Sequence, residues 1–326
     1  MSRLRALLAT LRIANAPSVV SNVWLGYITS WYLWFGSWIP LDTAMIQLDQ
    51  LACLLVSALL LYFSGNLGND WHDREWDLVR RPERALPSGL FRPSIYLAAS
   101  LALLVAGGFI AFQVNRYTGI AAVCIAILIV FYTWIHKRTS WGVVPMGLCR
   151  AGLYVLGSLA FWPDAALRKE IFDVLGSEPF SRHAIIIATF SSGLFSYITG
   201  LSLSARYEGM SDPPEGARRL SRILLAFPLL ALPCAFGLLG FTGVLPLAGW
   251  LALCLTRYKQ PIPRYVSALL AGIPLVDLTA AIPLGIALTF IKSNGVVNPP
   301  LGITIVAVPL IAFVLGRLLQ KVAPAT

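Results

Sequence analysis

Apolar residues fall along this chain in blocks long enough to cross a bilayer, parted by short polar stretches. Runs at about 13–35, 47–66, 94–113, 118–136, 143–161, 184–204, 220–240, 243–257, 264–291 and 302–320 sit near or above the roughly 18 residues a spanning helix needs. That pattern predicts ten helices. The eighth is short, and the ninth contains Pro274 and Pro283, which mark it for a kink or a break into two pieces. Ahead of the first run, Leu4, Leu7, Leu8 and Leu11 share a face of an interfacial helix.

Composition sharpens this reading. Of 326 residues, 57% are hydrophobic and 12% charged, about half the charged share of a soluble domain. No polar stretch is long enough for a separate soluble unit, so residues 1–326 read as one integral membrane domain, all-α and polytopic. With the N-terminus in the cytoplasm, nineteen Lys and Arg fall on the cytoplasmic side and five opposite. Arg150 lies within a span, which completes the 25 in the chain and satisfies the positive-inside rule for a bacterial plasma membrane. A net charge of +10 fits a basic rim against anionic headgroups, and nucleic acid is excluded as a partner. The five cysteines lie in or beside spans and read as small apolar packing residues.

One stretch breaks the apolar pattern. Behind the second run, "NDWHDREWDLVRRPERALPSG" (69–89) gathers aspartates and arginines on the cytoplasmic side. Asn69, Asp73 and Asp77 are spaced by four, so on a continued helix each advances only about 40° from the last and all share one face. Asp70 joins the edge of that face. Such a cluster repels itself unless a cation compensates. Mg²⁺ takes one or two carboxylates, keeps several waters, and binds best when substrate phosphates complete its shell. Arg80, Arg81 and Arg84 follow, with forked guanidiniums suited to phosphate oxygens. The arrangement suits a metal-bridged diphosphate, set against a simpler reading as solvated salt bridges.

The ordered string Asn69, Asp70, Asp73, Asp77, then Arg81, Pro82, Arg84, Pro87, Ser88 and Gly89, resembles the first aspartate-rich motif of the UbiA superfamily of intramembrane prenyltransferases. "RIANAPSVVSNVWLGY" (12–27) is similar to that family's first helix, and "YTWIHKRTSWGVVPMGLCRAGLYVLGSLA" (132–160) to its fourth and fifth. The resemblance implies a UbiA-type bundle of nine to ten transmembrane helices around a cavity. There a prenyl diphosphate, bound through Mg²⁺, gives its chain to an aromatic or other lipophilic acceptor. Asn69, Asp73 and Asp77 would then be catalytic and, with Asp70, metal-holding; Arg81, Arg84 and Lys137 would hold the diphosphate.

The pattern departs from the family at the sixth helix, where members carry a second pair, DxxxD. Here "YITGLSLSARYEGMSDPPEGARR" (197–219) places Leu201 and Ala205 at that spacing. Glu208 is then either a lone ligand to the metal or a partner for Arg206. The "GLCR" and "GLSLSARYE" segments resemble the EboC-type branch of the superfamily. Losing a ligand pair raises the barrier to ionisation, so a second function stays open: a non-catalytic relative that binds or helps export an isoprenoid-like lipid or metabolite. An ion-coupled transporter is disfavoured, because no inverted repeats are detectable.

Three polar residues lie within spans. Arg150 reads equally as a substrate ligand or as half of an interhelical ion pair with Asp277, and Asp277 as a packing partner. Asn22 reads as an acceptor ligand or as a bridge between helices. His72, His136 and His183 have no evident acid–base partner, and their predicted placement on both faces assembles no histidine metal site.

Overall fold

The computed structural model describes residues 3–36, 47–207, 214–290 and 299–323. Every regular element among them is helical. The chain enters through α1 (Arg3–Thr10), then α2 (Ala16–Trp31), α3 (Leu48–Arg80), α4 (Pro93–Val114), α5 (Arg116–Ile135) and α6 (Val143–Ser158). It continues through α7 (Ala165–Leu175), α8 (Glu178–Arg206), α9 (Glu215–Ala226), α10 (Pro228–Cys234), α11 (Val244–Thr256), α12 (Ile262–Ala271), α13 (Ile273–Phe290) and α14 (Pro299–Val322).

Eight helical stretches among the described residues are long and apolar enough to cross a membrane. They match eight of the ten expected runs. The first run differs because α2 holds 16 residues before passing into a π-helical turn at Tyr32–Gly36. The seventh differs because Pro228 divides it into α9 and α10. The ninth run separates at Gly272, two residues before Pro274, into α12 and α13. Proline removes a backbone donor and clashes with the preceding turn, and residues packed around the break shelter what it frees. One helix, α7, lies in a segment where no element was expected; Asp164 caps it through the Leu167 amide at 2.9 Å.

The centre of the bundle is α2 and α13, most of whose residues are buried. α2 packs along α6, α6 along α8, α13 along α14, and α3 along α4. Two positions show how closely. A Cβ at Gly26 of α2 would overlap the Tyr154 carbonyl of α6, and one at Gly157 of α6 would overlap the Val23 carbonyl of α2. Lipid gives helices no apolar reason to associate, so small residues and polar bonds hold them together. Between α3 and α4 the bonds are reciprocal: Ser64 Oγ donates to the Ser100 carbonyl at 2.8 Å, and Ser100 Oγ to that of Ser64 at 2.9 Å. The rim helices turn Leu101, Val105, Phe109, Ile120 and Ile127 outward, as a lipid-facing surface requires.

α1 buries Ala6 and Thr10 and leaves Leu4 exposed. It is tied down by a Thr10–Tyr96 hydroxyl pair at 3.1 Å and by Arg5 Nε donating to the Val322 carbonyl at 3.1 Å.

Candidate functional site

The site is built on the free end of α3. At 33 residues this helix is roughly 50 Å long against a hydrocarbon core of about 30 Å. Its last turns therefore stand beyond the apolar run at 47–66. It stops at Arg80, before the residue preceding Pro82, whose ring disfavours helical backbone there.

Asn69, Asp73 and Asp77 are buried on the inward face of this extension, at 5%, 5% and 2% exposure. The spacing by four does bring them onto one face. Asp73 is held from α3 itself and from the turn after α5: Lys137 Nζ lies 2.9 Å from Oδ2, His136 Nε2 3.2 Å, and Asn69 Nδ2 donates at 3.3 Å. His72 Nδ1 lies 3.4 Å from the other oxygen. Burial alone would raise the Asp73 carboxyl, but His136 and Lys137 outweigh it and hold it down at about 2. Asp70 goes the other way: burial raises it despite Arg12 and Arg84, each 3.7 Å from Oδ1. Arg84 Nη1 also donates to Asp77 Oδ2 at 2.8 Å.

Arg81 closes α3, its backbone N–H donating to the Asp77 carbonyl at 2.8 Å, with its side chain half-buried. Leu201 lies within the wall of the cavity below, and Glu208 falls outside the described residues.

Among the described residues, no three His, Cys, Asp or Glu side chains converge as a ready metal cage. The oxygens nonetheless fit a hard cation. Asn69 Oδ1, Asp70 Oδ1 and Asp77 Oδ1 are buried without a hydrogen-bond partner, Asp70 Oδ1 having only the two guanidiniums at 3.7 Å, so three of the four described ligand candidates each keep an oxygen free of hydrogen bonds. Unpaired buried oxygens are costly. A Mg²⁺ ion that takes one or two carboxylates and fills its shell with phosphate oxygens and water needs no closed cage.

Beneath the acidic face lies a cavity of about 110 Å³ between α3, α5, α6, α8 and the α12–α13 break. Asn69 and Asn66 line it as well, so the charged face and the cavity meet. Its walls are mostly apolar, with Leu61, Ile129 and Leu153 among them, and Arg150 and Arg12 are the only charged residues in its lining among the described residues. Asn22 is fully buried and bonds Asp277 and Arg150 instead of lining the cavity.

Sequence reasoning missed four contributors. His72 and His136 both contact Asp73, and His136 Nδ1 faces the Tyr132 and Thr133 carbonyls at 3.2 and 3.1 Å, so both of its ring nitrogens face acceptors. Arg206 supports that turn by donating to the His136 carbonyl at 2.9 Å. Arg12 is the fourth. It adopts left-handed backbone, φ 48° and ψ 48°, and donates to Asn66 Oδ1 at 2.9 Å. A non-glycine residue held there carries strain, which concentrates at functional positions. Its signal in the sequence was a lone cation inside grease.

Fold and site together define a polytopic membrane protein with an acidic, cation-lined mouth above a lipophilic chamber. The chain belongs to the UbiA prenyltransferase family, whose model matches residues 23–261. It is 25% identical over 243 residues to the digeranylgeranylglyceryl phosphate synthase of Saccharolobus solfataricus, covering 72% of this chain and 78% of that one. It is 32% identical over 124 residues to the enzyme of that name from Methanothrix thermoacetophila, covering 37% of this chain and 46% of the relative. The second match thus spans less than half of the relative's length. A solved structure concerning digeranylgeranylglyceryl phosphate synthase superposes with TM-score 0.55 at 17% identity, over 97% of this chain and 99% of that one, a likeness of fold.

Proposed function

We propose that this chain is a Mg²⁺-dependent prenyltransferase that takes a prenyl diphosphate at the end of α3 and passes its chain to a lipophilic acceptor in the chamber below. One observation carries the reading: three buried oxygens without a hydrogen bond, on Asn69, Asp70 and Asp77, stand between cationic side chains and an apolar cavity. Asn69, Asp73 and Asp77, with Asp70, would hold the metal, and Glu208 is a further candidate. When bound, the metal would neutralise charge on the departing diphosphate. Arg84, Lys137 and Arg81 would bind the diphosphate oxygens, drawing Arg84 and Lys137 partly away from the carboxylates they now hold. The aliphatic walls would exclude water from the reacting carbon, and Tyr62 and Tyr132 offer aromatic faces to positive charge developing there. The mouth would face the cytoplasm, an orientation that the positive-inside bias supports. The relatives' name supports a prenyl chain as the group moved.

The alternative, a binding or export protein without catalysis, is favoured by Leu201 and Ala205 standing where the family's second aspartate pair is expected, with Leu201 an apolar wall. Purified protein incubated with Mg²⁺, a lipid extract and dimethylallyl, geranyl or geranylgeranyl diphosphate decides between them. The transferase releases diphosphate only with Mg²⁺; absence of release from every donor removes this reading.

A further inference from the structure

Away from the aspartate face, charge is distributed unevenly along the chain. From Glu215 onward there are nine Lys and Arg against two carboxylates, Glu215 and Asp277. Asp277 is fully buried in α13 and bonded there by Ser21, Asn22 and Tyr154, so it answers none of the cations outside. Arg257 and Lys259 flank Tyr258 in the turn from α11 to α12, Arg264 stands at the start of α12, and Arg317 lies near the end of α14. None of these four forms an ion pair among the described residues. Their corner is at the end of the bundle that carries the aspartate face, because Arg5 of α1 donates to the Val322 carbonyl at the close of α14.

The cations are gathered by specific contacts. Arg264 and Arg317 lie 5.0 and 5.7 Å from the centroid of the Tyr258 ring, and Arg317 also lies 5.4 Å from that of Trp250. The rings are themselves fixed: Trp250 Nε1 donates to the Ala268 carbonyl at 2.9 Å, and Phe313 meets Trp250 edge-on at 5.0 Å. Gln320 Nε2 donates to the Ser267 carbonyl at 2.8 Å, which leaves its Oε1 to accept from Arg317 Nη1 at 2.9 Å. Residues of α11, α12 and α14 thus hold two guanidiniums around one ring. Aromatic faces attract a cation without cancelling its charge, so the two still repel each other. Arg264 is in the first turn of α12, the end of a helix where a cation is disfavoured. A basic rim that served only solubility would extend its long side chains separately into water.

Two features of the surroundings select the ligand. Guanidiniums match phosphate oxygens in geometry and charge. On the bilayer side of the cluster, the outward faces of α11 and α14 expose Leu253, Leu310, Val314 and Leu318. We propose that this corner is a binding site for an anionic phospholipid. Its phosphodiester lies between Arg264 and Arg317, Arg257 and Lys259 add to the attraction, and its acyl chains run along α11 and α14. Basic groups between helix ends at headgroup depth are suited to such lipids. The site is separate from the chamber, although α12 touches both, since Leu270 lines the chamber wall. It does not depend on the transferase reading.

The test titrates the full chain in detergent, with EDTA present, with dioleoyl phosphatidylglycerol or dioleoyl phosphatidylcholine and counts bound lipid by native mass spectrometry. The chains are identical, so only the headgroup differs. Phosphatidylglycerol should bind roughly fivefold or more tighter, about the effect of one basic group beside an anionic headgroup. Arg264→Gln and Arg317→Gln together should bring the two affinities level while leaving phosphatidylcholine binding unchanged, and Arg317→Lys should keep part of the preference. Arg92→Gln, which removes the same charge from an exposed position before α4, should keep all of it. Equal binding of the two lipids by the unaltered protein overturns the proposal, as does a preference that survives the double substitution. A preference that Arg92→Gln weakens as much as the double substitution does would assign the attraction to the whole basic rim and overturn it too. Displacement of phosphatidylglycerol by an equal concentration of glycerol 3-phosphate would make the ligand a soluble phosphate ester instead of a lipid.

Discussion

At Asp73 both carboxylate oxygens are taken up by donors, whereas Asp70, Asp77 and Asn69 each keep an oxygen without one. Asp73 is thus the residue through which α3 is tied to the turn after α5, and its loss should be felt twice, in charge and in position. Asp73→Asn is expected to lower Mg²⁺-dependent diphosphate release by about 10²–10³-fold, the range for removing one preorganised electrostatic contact; a release assay at saturating donor checks it. Arg84 bridges Asp70 and Asp77. Arg84→Gln should weaken donor binding roughly tenfold or more, seen as a raised KM, and Arg84→Lys should restore only part of it because an ammonium lacks the planar fork. The spacing of Asn69, Asp73 and Asp77 was readable in the chain, since it follows from helical pitch alone. The roles of His136 and Arg12 were not, because their partners are 63 and 58 residues away in sequence and meet them only through packing.

Among the helices, α3 and the α2–α6 pair decide most. α3 carries its acidic face past the bilayer because nothing interrupts it before Pro82. The α2–α6 crossing depends on Gly26 and Gly157, each lying against the other helix's backbone. Gly26→Ala should cost about 1–3 kcal/mol of stability through overpacking, read as a lowered Tm in detergent. Gly249→Ala on α11, where an added Cβ meets nothing within 4 Å, should be neutral or slightly stabilising. The same crossing carries Asn22 and Arg150, so a spread α2–α6 pair would also disturb the contact between them. Most span boundaries could be read from hydropathy. The divisions at Gly272 and Pro228 were harder to place, since proline marks where a break is tolerated and only packing decides whether it occurs.

For the whole molecule, residues expected on the cytoplasmic side do meet at one end of the bundle: Arg12 with Asp70, Lys137 with Asp73, and Arg206 with the carbonyl of His136. At the other end Trp34, Trp162, Phe180 and His183 form an aromatic group, and Asn115 donates to the Leu159 and Ala160 carbonyls at 2.9 and 3.0 Å. The alternation of spans is therefore self-consistent. A membrane-impermeant maleimide should modify Ser88→Cys only in inside-out vesicles and Ser181→Cys only in right-side-out ones; the reverse pattern would invert the orientation.

By itself the sequence determined that this is a helical membrane protein, roughly where its spans lie, and that one helix presents Asn69, Asp73 and Asp77 together, because hydropathy and helical pitch are local properties. Tertiary structure alone decided which cations answer those carboxylates, and that Asn22 separates Arg150 from Asp277. Those contacts join residues up to 255 positions apart, and no periodicity along a chain encodes which faces of α2, α6 and α13 turn toward one another.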